Sequence, residues 1–134
     1  MKNWQSITFE TPAKPWSTNQ ERRMHPMERH KRVTAWKDAT RDAWEEAHGH
    51  RAVDGFVVVH IVIPFTQRRR RDPHNYCGTV LKACIDGLVQ AGLVPDDNAD
   101  LLGHREPVLR VGGEVSLGVE VLTEAEAGSY RQQF

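Results

Sequence analysis

Residues 68–97 read RRRRDPHNYCGTVLKACIDGLVQAGLVPDD, and the order of features within them organises the whole chain. Four arginines, Arg68, Arg69, Arg70 and Arg71, run directly into Asp72-Pro73-His74-Asn75. From about Tyr76 to Ala91 the pattern turns helical. Cys77, Val80, Leu81, Cys84, Leu88 and Ala91 form one apolar stripe, while Lys82 and Asp86, four apart, share another face. Gly92 suits a helix C-cap, Pro95 prevents continuation, and a second acidic pair, Asp96-Asp97, follows. A positive block beside separated carboxylates suits a site that holds a polyanion and a divalent metal together. The arginines would neutralise phosphates, and the carboxylates would offer hard oxygen ligands to magnesium or manganese. A charge run alone usually marks a solvated loop beside a surface helix. Here the sequence of cations, carboxylates and helix argues for more.

Working outward, Phe56-Val57-Val58-Val59-His60-Ile61-Val62-Ile63 is the strongest strand signal in the chain. It is rich in β-branched residues and apolar on both faces, as a central strand covered on each side would be. Pro64 closes it, so the arginine loop leaves from its C-terminal end, a favoured place for ligand sites in sheet-and-helix proteins. His60 shares a face with Val58 and Val62 and reads as a hydrogen-bonded core histidine. Upstream, Trp4 to Phe9 alternates like a strand, and Glu28 to about His48 is a helix through Val33, Trp36, Thr40, Ala43, Trp44 and Ala47. Between them, residues 14–23 are loop by composition. There Trp16, with Arg22 and Arg23, has two open readings: stacking on a nucleic-acid base, or capping the core. Downstream lie two β-type runs, Leu101 to about Arg110, interrupted by Pro107, and Glu114 to Leu122. Gly112-Gly113 between them signals a hairpin. The tail, residues 123–134, has no clear periodicity and reads as frayed. The order β-α-β-α-β-β predicts an α+β fold, one mixed sheet of about four strands packed with two main helices.

The 134 residues suffice for one domain with a real core and are short for two. Charge balances to zero overall, but residues 1–71 carry 14 Lys/Arg against 8 Asp/Glu, and residues 72–134 carry 4 against 10. A basic run embedded in a neutral protein points to local phosphate capture rather than a uniformly sticky surface. No apolar run approaches a membrane span and the N-terminus lacks a signal-peptide core, which places the protein in the cytoplasm by default. Cys77 and Cys84 lie about two turns apart on one predicted helix, too far to bridge, and read as small buried residues.

Asp72, His74 and Asn75 precede a predicted helix N-terminus, where backbone N–H groups and the macrodipole attract an anion such as a phosphodiester oxygen. Asp96 and Asp97 lie past its far end, about 24 Å away for a helix of about sixteen residues. The acidic clusters therefore meet only if the chain folds back from Gly92 or if two subunits share a site. Phosphodiester cleavage needs a metal to polarise the phosphoryl group and activate water, carboxylates to hold it, and a cation near the scissile phosphate. Asp72 and Asp97 suit the ligand role and Lys82 the cation role. A zinc reading through His74, Cys77 and Cys84 matches no common ligand spacing.

The run R-R-R-R-D-P-H-N, the K-A-C-I-D-G-L helix core and the A-G-L-V-P-D-D-N ending resemble the RusA family of Holliday junction resolvases of bacteria and phages. The resemblance is specific over Arg68–Asn98 and looser at Pro15, Ser17, Asn19 and Arg22. It implies a homodimeric, magnesium-dependent endonuclease of phage or prophage type that nicks four-way DNA junctions symmetrically. It also implies residue roles. Asp72 matches the first catalytic aspartate, Asp97 the aspartate of the D-D ending, Lys82 the helix lysine, Arg71 the arginine before the first aspartate, and Asp86 a supporting aspartate. One departure stands out, since His74 occupies the place where the family often has a second aspartate. Histidine can ligate manganese but brings no charge and is a poorer magnesium ligand. There are also extra residues between Asn75 and Lys82, and either change could pass a ligand role to Asp96 or Asp100.

The expected function is thus a junction-resolving endonuclease, with Arg68–Arg71, Asn75, Arg22 and Arg23 on the DNA. The alternatives are a module that grips branched DNA without cutting it, and a nuclease of broader flap and fork specificity.

Overall fold

The computed structural model describes residues 3–95 and 100–132. At its centre is β2 (Phe56–Phe65), buried along most of both faces. The sequence reading ended this strand at Pro64. The structure extends it to Phe65, because β4 keeps pairing along it, Arg110 beside Pro64 and Val111 beside Phe65, after the β5 ladder has ended at Val62.

Five strands form one mixed sheet. Strand β1 (Asn3–Phe9) runs antiparallel to β5 (Val115–Leu122), which runs antiparallel to β2 in turn. On the other side of β2 lie two short parallel strands placed end to end, β3 (Leu102–His104) beside Val57–Val59 and β4 (Val108–Val111) beside Val62–Phe65. The α+β class and mixed sheet are as expected. The fifth strand arises because the run from Leu101 to Arg110 divides at Arg105-Glu106-Pro107. The Gly112-Gly113 hairpin expectation needs correction. Both glycines adopt positive φ, +76° and +84°, but the turn carries the chain across the end of β2. Strands β4 and β5 therefore stand on opposite sides of β2 rather than pairing with each other. Two flanking β runs and a glycine pair cannot reveal a third strand lying between them.

Against one face of the sheet pack α2 (Pro26–His48) and α3 (Lys82–Gln90). Helix α2 begins at His25, whose Nδ1 accepts from Met27 N, and ends at Gly49 with φ +73°. It buries Trp36, Thr40 and Trp44, as its periodicity predicts. The two helices cross closely at Gly87, where an added Cβ would strike Lys37 O and sit 3.0 Å from Thr40 Cβ. The opposite face is covered at one end by α4 (Glu124–Gln132), which packs Ala127 and Tyr130 over Phe56, Val58 and Leu122. Residues 124–132 of the tail thus form a packed helix rather than a frayed end. Tyr130 donates from its hydroxyl to His104 O and accepts from His104 N, at 2.9 and 3.0 Å, closing the outer edge of β3. That anchor is tertiary and leaves no local periodicity to read.

His60 makes the hydrogen bond expected of it but is only half-buried, outside the core clusters. Its Nε2 lies 3.3 Å from Oε1 of buried Glu120, and its ring packs on Trp4 at 4.6 Å. Among the described residues no helix is long and apolar enough to cross a membrane.

Candidate nucleic-acid interface

The predicted helix from Tyr76 to Ala91 is three segments. Asp72 caps a 3-10 turn (Pro73–Tyr76), a π-helical turn (Cys77–Leu81) follows, and only then does α3 begin at Lys82. Pro73 fixes the first turn, and the wider π turn accommodates extra chain before the helix resumes. These are the residues that separate Asn75 from Lys82. Cys84 is buried, and burial pushes its thiol up to about 12. Cys77, expected in the core, is only half-buried at the π turn.

The arginine loop is built on an aromatic anchor. Phe65 ends β2 and meets buried Tyr76 edge-on, centroids 5.4 Å apart. Arg71 folds back so that its guanidinium lies over Phe65, and its Nη1 donates to Gln67 O at 3.0 Å and Arg69 O at 3.5 Å. Burial raises the Tyr76 hydroxyl pKa, an effect that the charges of Arg71 and Arg69 and a hydrogen bond with Arg71 only partly offset. Arg71 therefore shapes the loop, while Arg68, Arg69 and Arg70 are exposed.

The loop of residues 14–23 docks opposite and is more ordered than its composition implies. It contains a short helix, α1 (Thr18–Glu21), held by a capping box in which Ser17 Oγ accepts from Gln20 N and Gln20 Oε1 accepts from Ser17 N. Trp16 is fully buried, so base stacking is excluded for it. Its Nε1 donates to Glu21 Oε2 at 2.9 Å, and Glu21 Oε1 accepts from Arg29 at 2.6 Å. Partial burial works to raise the Glu21 carboxyl, but the hydrogen bonds from Arg29 and Trp16 outweigh it and hold the carboxyl below its ordinary value. Thr79 Oγ1 donates to Trp16 O at 2.6 Å and Thr18 Oγ1 to Asn75 O at 3.1 Å, tying this loop to the turns after Asp72.

Between the two loops and the Gly112-Gly113 turn opens a cleft of about 760 Å³. Of the residues singled out in the sequence, Arg69, Arg70, Arg71, Asp72 and Asn75 line it. Pro15 and Ser17, where the family resemblance is looser, line it too, as do Lys14 and Gln20, which were missed because a lysine and a glutamine in a Pro-rich stretch carry no signal for a site. Arg68 faces a second recess beside Pro107–Val111. Arg22 and Arg23 are exposed on the far end of α1, outside the cleft lining. Lys82 and Asp86, on one face as their spacing predicts, form an ion pair at 2.9 Å on the half-exposed side of α3.

Asp72 is exposed, and its Oδ1 accepts from His74 N at 3.1 Å. The contact to His74 is thus through its backbone, and its imidazole is exposed. A second carboxylate, Glu106 of the β3–β4 connection, is felt at Cys77 as Asp72 is. Burial chiefly raises the Cys77 thiol pKa, and the charges of Glu106 and Asp72 raise it further. Glu106 went unnoticed because nothing local links it to Cys77. Among the described residues no three His, Cys, Asp or Glu side chains converge as a cation cage. Asp96 and Asp97 lie outside the described residues. The described segments on either side of them sit beside the start of β2, where Val53 N donates to Leu93 O and Val57 N to Leu101 O.

No protein-family model matches this chain, and no curated protein matches it.

Proposed function

We propose that the protein is a metal-dependent, structure-selective DNA endonuclease that resolves four-way junctions by paired, symmetric phosphodiester hydrolysis, acting as a homodimer in the cytoplasm. The observation that supports this reading best is the position of Asp72. It stands at the margin of a cleft that also gathers Arg69, Arg70 and Lys14, at the C-terminal end of the central strand.

A phosphate drawn in by those cations would lie beside an exposed carboxylate held in a fixed turn. Arg71 keeps the loop in shape for that approach. Lys82 would place positive charge near the phosphodiester, with Asp86 fixing its ammonium at 2.9 Å. The proposed magnesium or manganese ion would be held by Asp72 with Asp97, with His74 and Asp96 as further donors, and would supply a polarised phosphoryl group and an activated water. The described residues alone do not complete that ligand set.

The test is cleavage of a labelled four-way junction with magnesium, with manganese and with chelator, alongside linear duplex and flap substrates. Paired symmetric nicks that chelator abolishes are expected, falling at least roughly a hundredfold in Asp72→Asn while junction binding persists. Junction binding without nicks in either metal would replace this reading with a non-cleaving branched-DNA module. Equal cleavage of flaps would replace it with a broader nuclease.

A further inference from the structure

A duplex turns its phosphates outward and its bases inward, so gripping one requires exposed cations on a broad face. The cleft at the end of β2 offers something different. Its volume of about 760 Å³ falls in the range of recesses that enclose one small organic ligand. Its floor is a layered aromatic and cationic surface, Arg71 over Phe65 with Tyr76 edge-on. Guanidinium planes backed by a ring are platforms on which single nucleobases stack. Polar groups stand around this floor. Gln20 Oε1 is fixed by Ser17 N at 2.8 Å, which orients the remaining amide N–H donors of Gln20. Lys14, Arg69 and Arg70 supply the charge that a nucleotide's flanking phosphates require.

We propose that the cleft takes one unpaired nucleotide of the DNA strand at the branch point, its base stacked on the Arg71–Phe65 layer and its phosphates held by Lys14, Arg69 and Arg70. This deepens the endonuclease reading and rests on it, because Asp72 shares the cleft and would face the phosphodiester of the captured nucleotide. Extruding a base costs least where pairing is already interrupted. Selectivity for branched DNA then follows in part from the availability of such a nucleotide.

The experiment uses junctions carrying 2-aminopurine at each branch-flanking position, bound in chelator so that no cutting occurs. Loss of stacking on neighbouring bases brightens this probe. The expected result is a severalfold rise at one position with the natural protein. The rise should be absent in Thr11→Trp, which fills the cleft from an exposed lining loop residue. Gln20→Glu keeps an acceptor for Ser17 N but sets a carboxylate beside the phosphates, and it should weaken binding of the single strand tetrathymidylate about tenfold. Junction binding with no brightening at any position would overturn the nucleotide site and leave the endonuclease reading standing. If the junction binds no better than duplex, the endonuclease reading fails, and tetrathymidylate decides the cleft alone. Binding that Thr11→Trp abolishes supports a nucleotide site, and no binding overturns it.

Discussion

The guanidinium of Arg71 lies 3.9 Å from the centroid of the Phe65 ring, so the last of four consecutive arginines is part of the fold rather than a free surface charge. Its carbonyl partners, Gln67 O and Arg69 O, belong to the loop that presents the other three. One residue thus shapes the loop and its neighbours offer the charge.

That division separates the arginines in experiment. Arg69→Ala and Arg70→Ala should each reduce the salt slope of DNA binding by about 1 and leave the melting temperature unchanged. Arg71→Ala should instead cost about 1 kcal/mol and lower the melting temperature by roughly 2–5 °C. Arg71→Lys should recover little of this, since a lysine cannot reproduce the stacked plane and its two carbonyl contacts. Thermal melts and binding titrations over a salt series measure both effects, and equal slopes for all variants would refute the assignment.

The Lys82–Asp86 pair is half-exposed, so its contribution to stability is small. Asp86→Asn should change stability by less than about 0.5 kcal/mol. If Asp86 positions the ammonium for the proposed reaction, cleavage should fall on the order of tenfold at unchanged DNA affinity. A variant that cleaves at the natural rate would reduce the pair to an ordinary helix-surface ion pair.

The two cysteines should react differently. With its thiol raised to about 12 and no exposure, Cys84 should resist alkylation until the protein unfolds. Cys77 should react slowly at pH 8. Its pKa is raised by burial and then by Glu106 and Asp72, so Glu106→Gln and Asp72→Asn should each lower it and speed alkylation. Mass spectrometry of alkylated peptides against time reads this out. Unchanged rates in both variants would place the two carboxylates away from the thiol. The sign for Cys84 is also fixed. A folded pKa raised above the ordinary thiol value of 9.0 gives stability that is intact below pH 9 and declines from there toward pH 12.

Gly87 is the point of closest approach between α2 and α3. Gly87→Ala forces a methyl against Lys37 O and Thr40, and should cost about 1–3 kcal/mol despite alanine's better helix propensity. Chemical denaturation measures it. A stabilised variant would mean that the helices can slide apart freely.

What the sequence determined by itself was local and periodic. The β-branched run from Phe56 to Ile63 declared a covered central strand, the tryptophan spacing declared α2, and the four-residue interval from Lys82 to Asp86 put both on one helix face. Each signal comes from the repeat of one element, which neighbouring residues encode. The arginines, Asp72 and Asn75 were legible as parts of a site because they are contiguous with that strand's end. Tertiary structure decided everything that depends on distant segments meeting. Only packing buries Trp16 beneath Thr79, brings Lys14 and Gln20 across from Arg69, brings the charge of Glu106 to bear on Cys77, and passes β2 between β4 and β5. Burial and long-range contact are properties of the whole chain's solution to covering its apolar surface, and no window of sequence contains them. The cleft is therefore a tertiary object, though its most conspicuous wall is written in four consecutive letters.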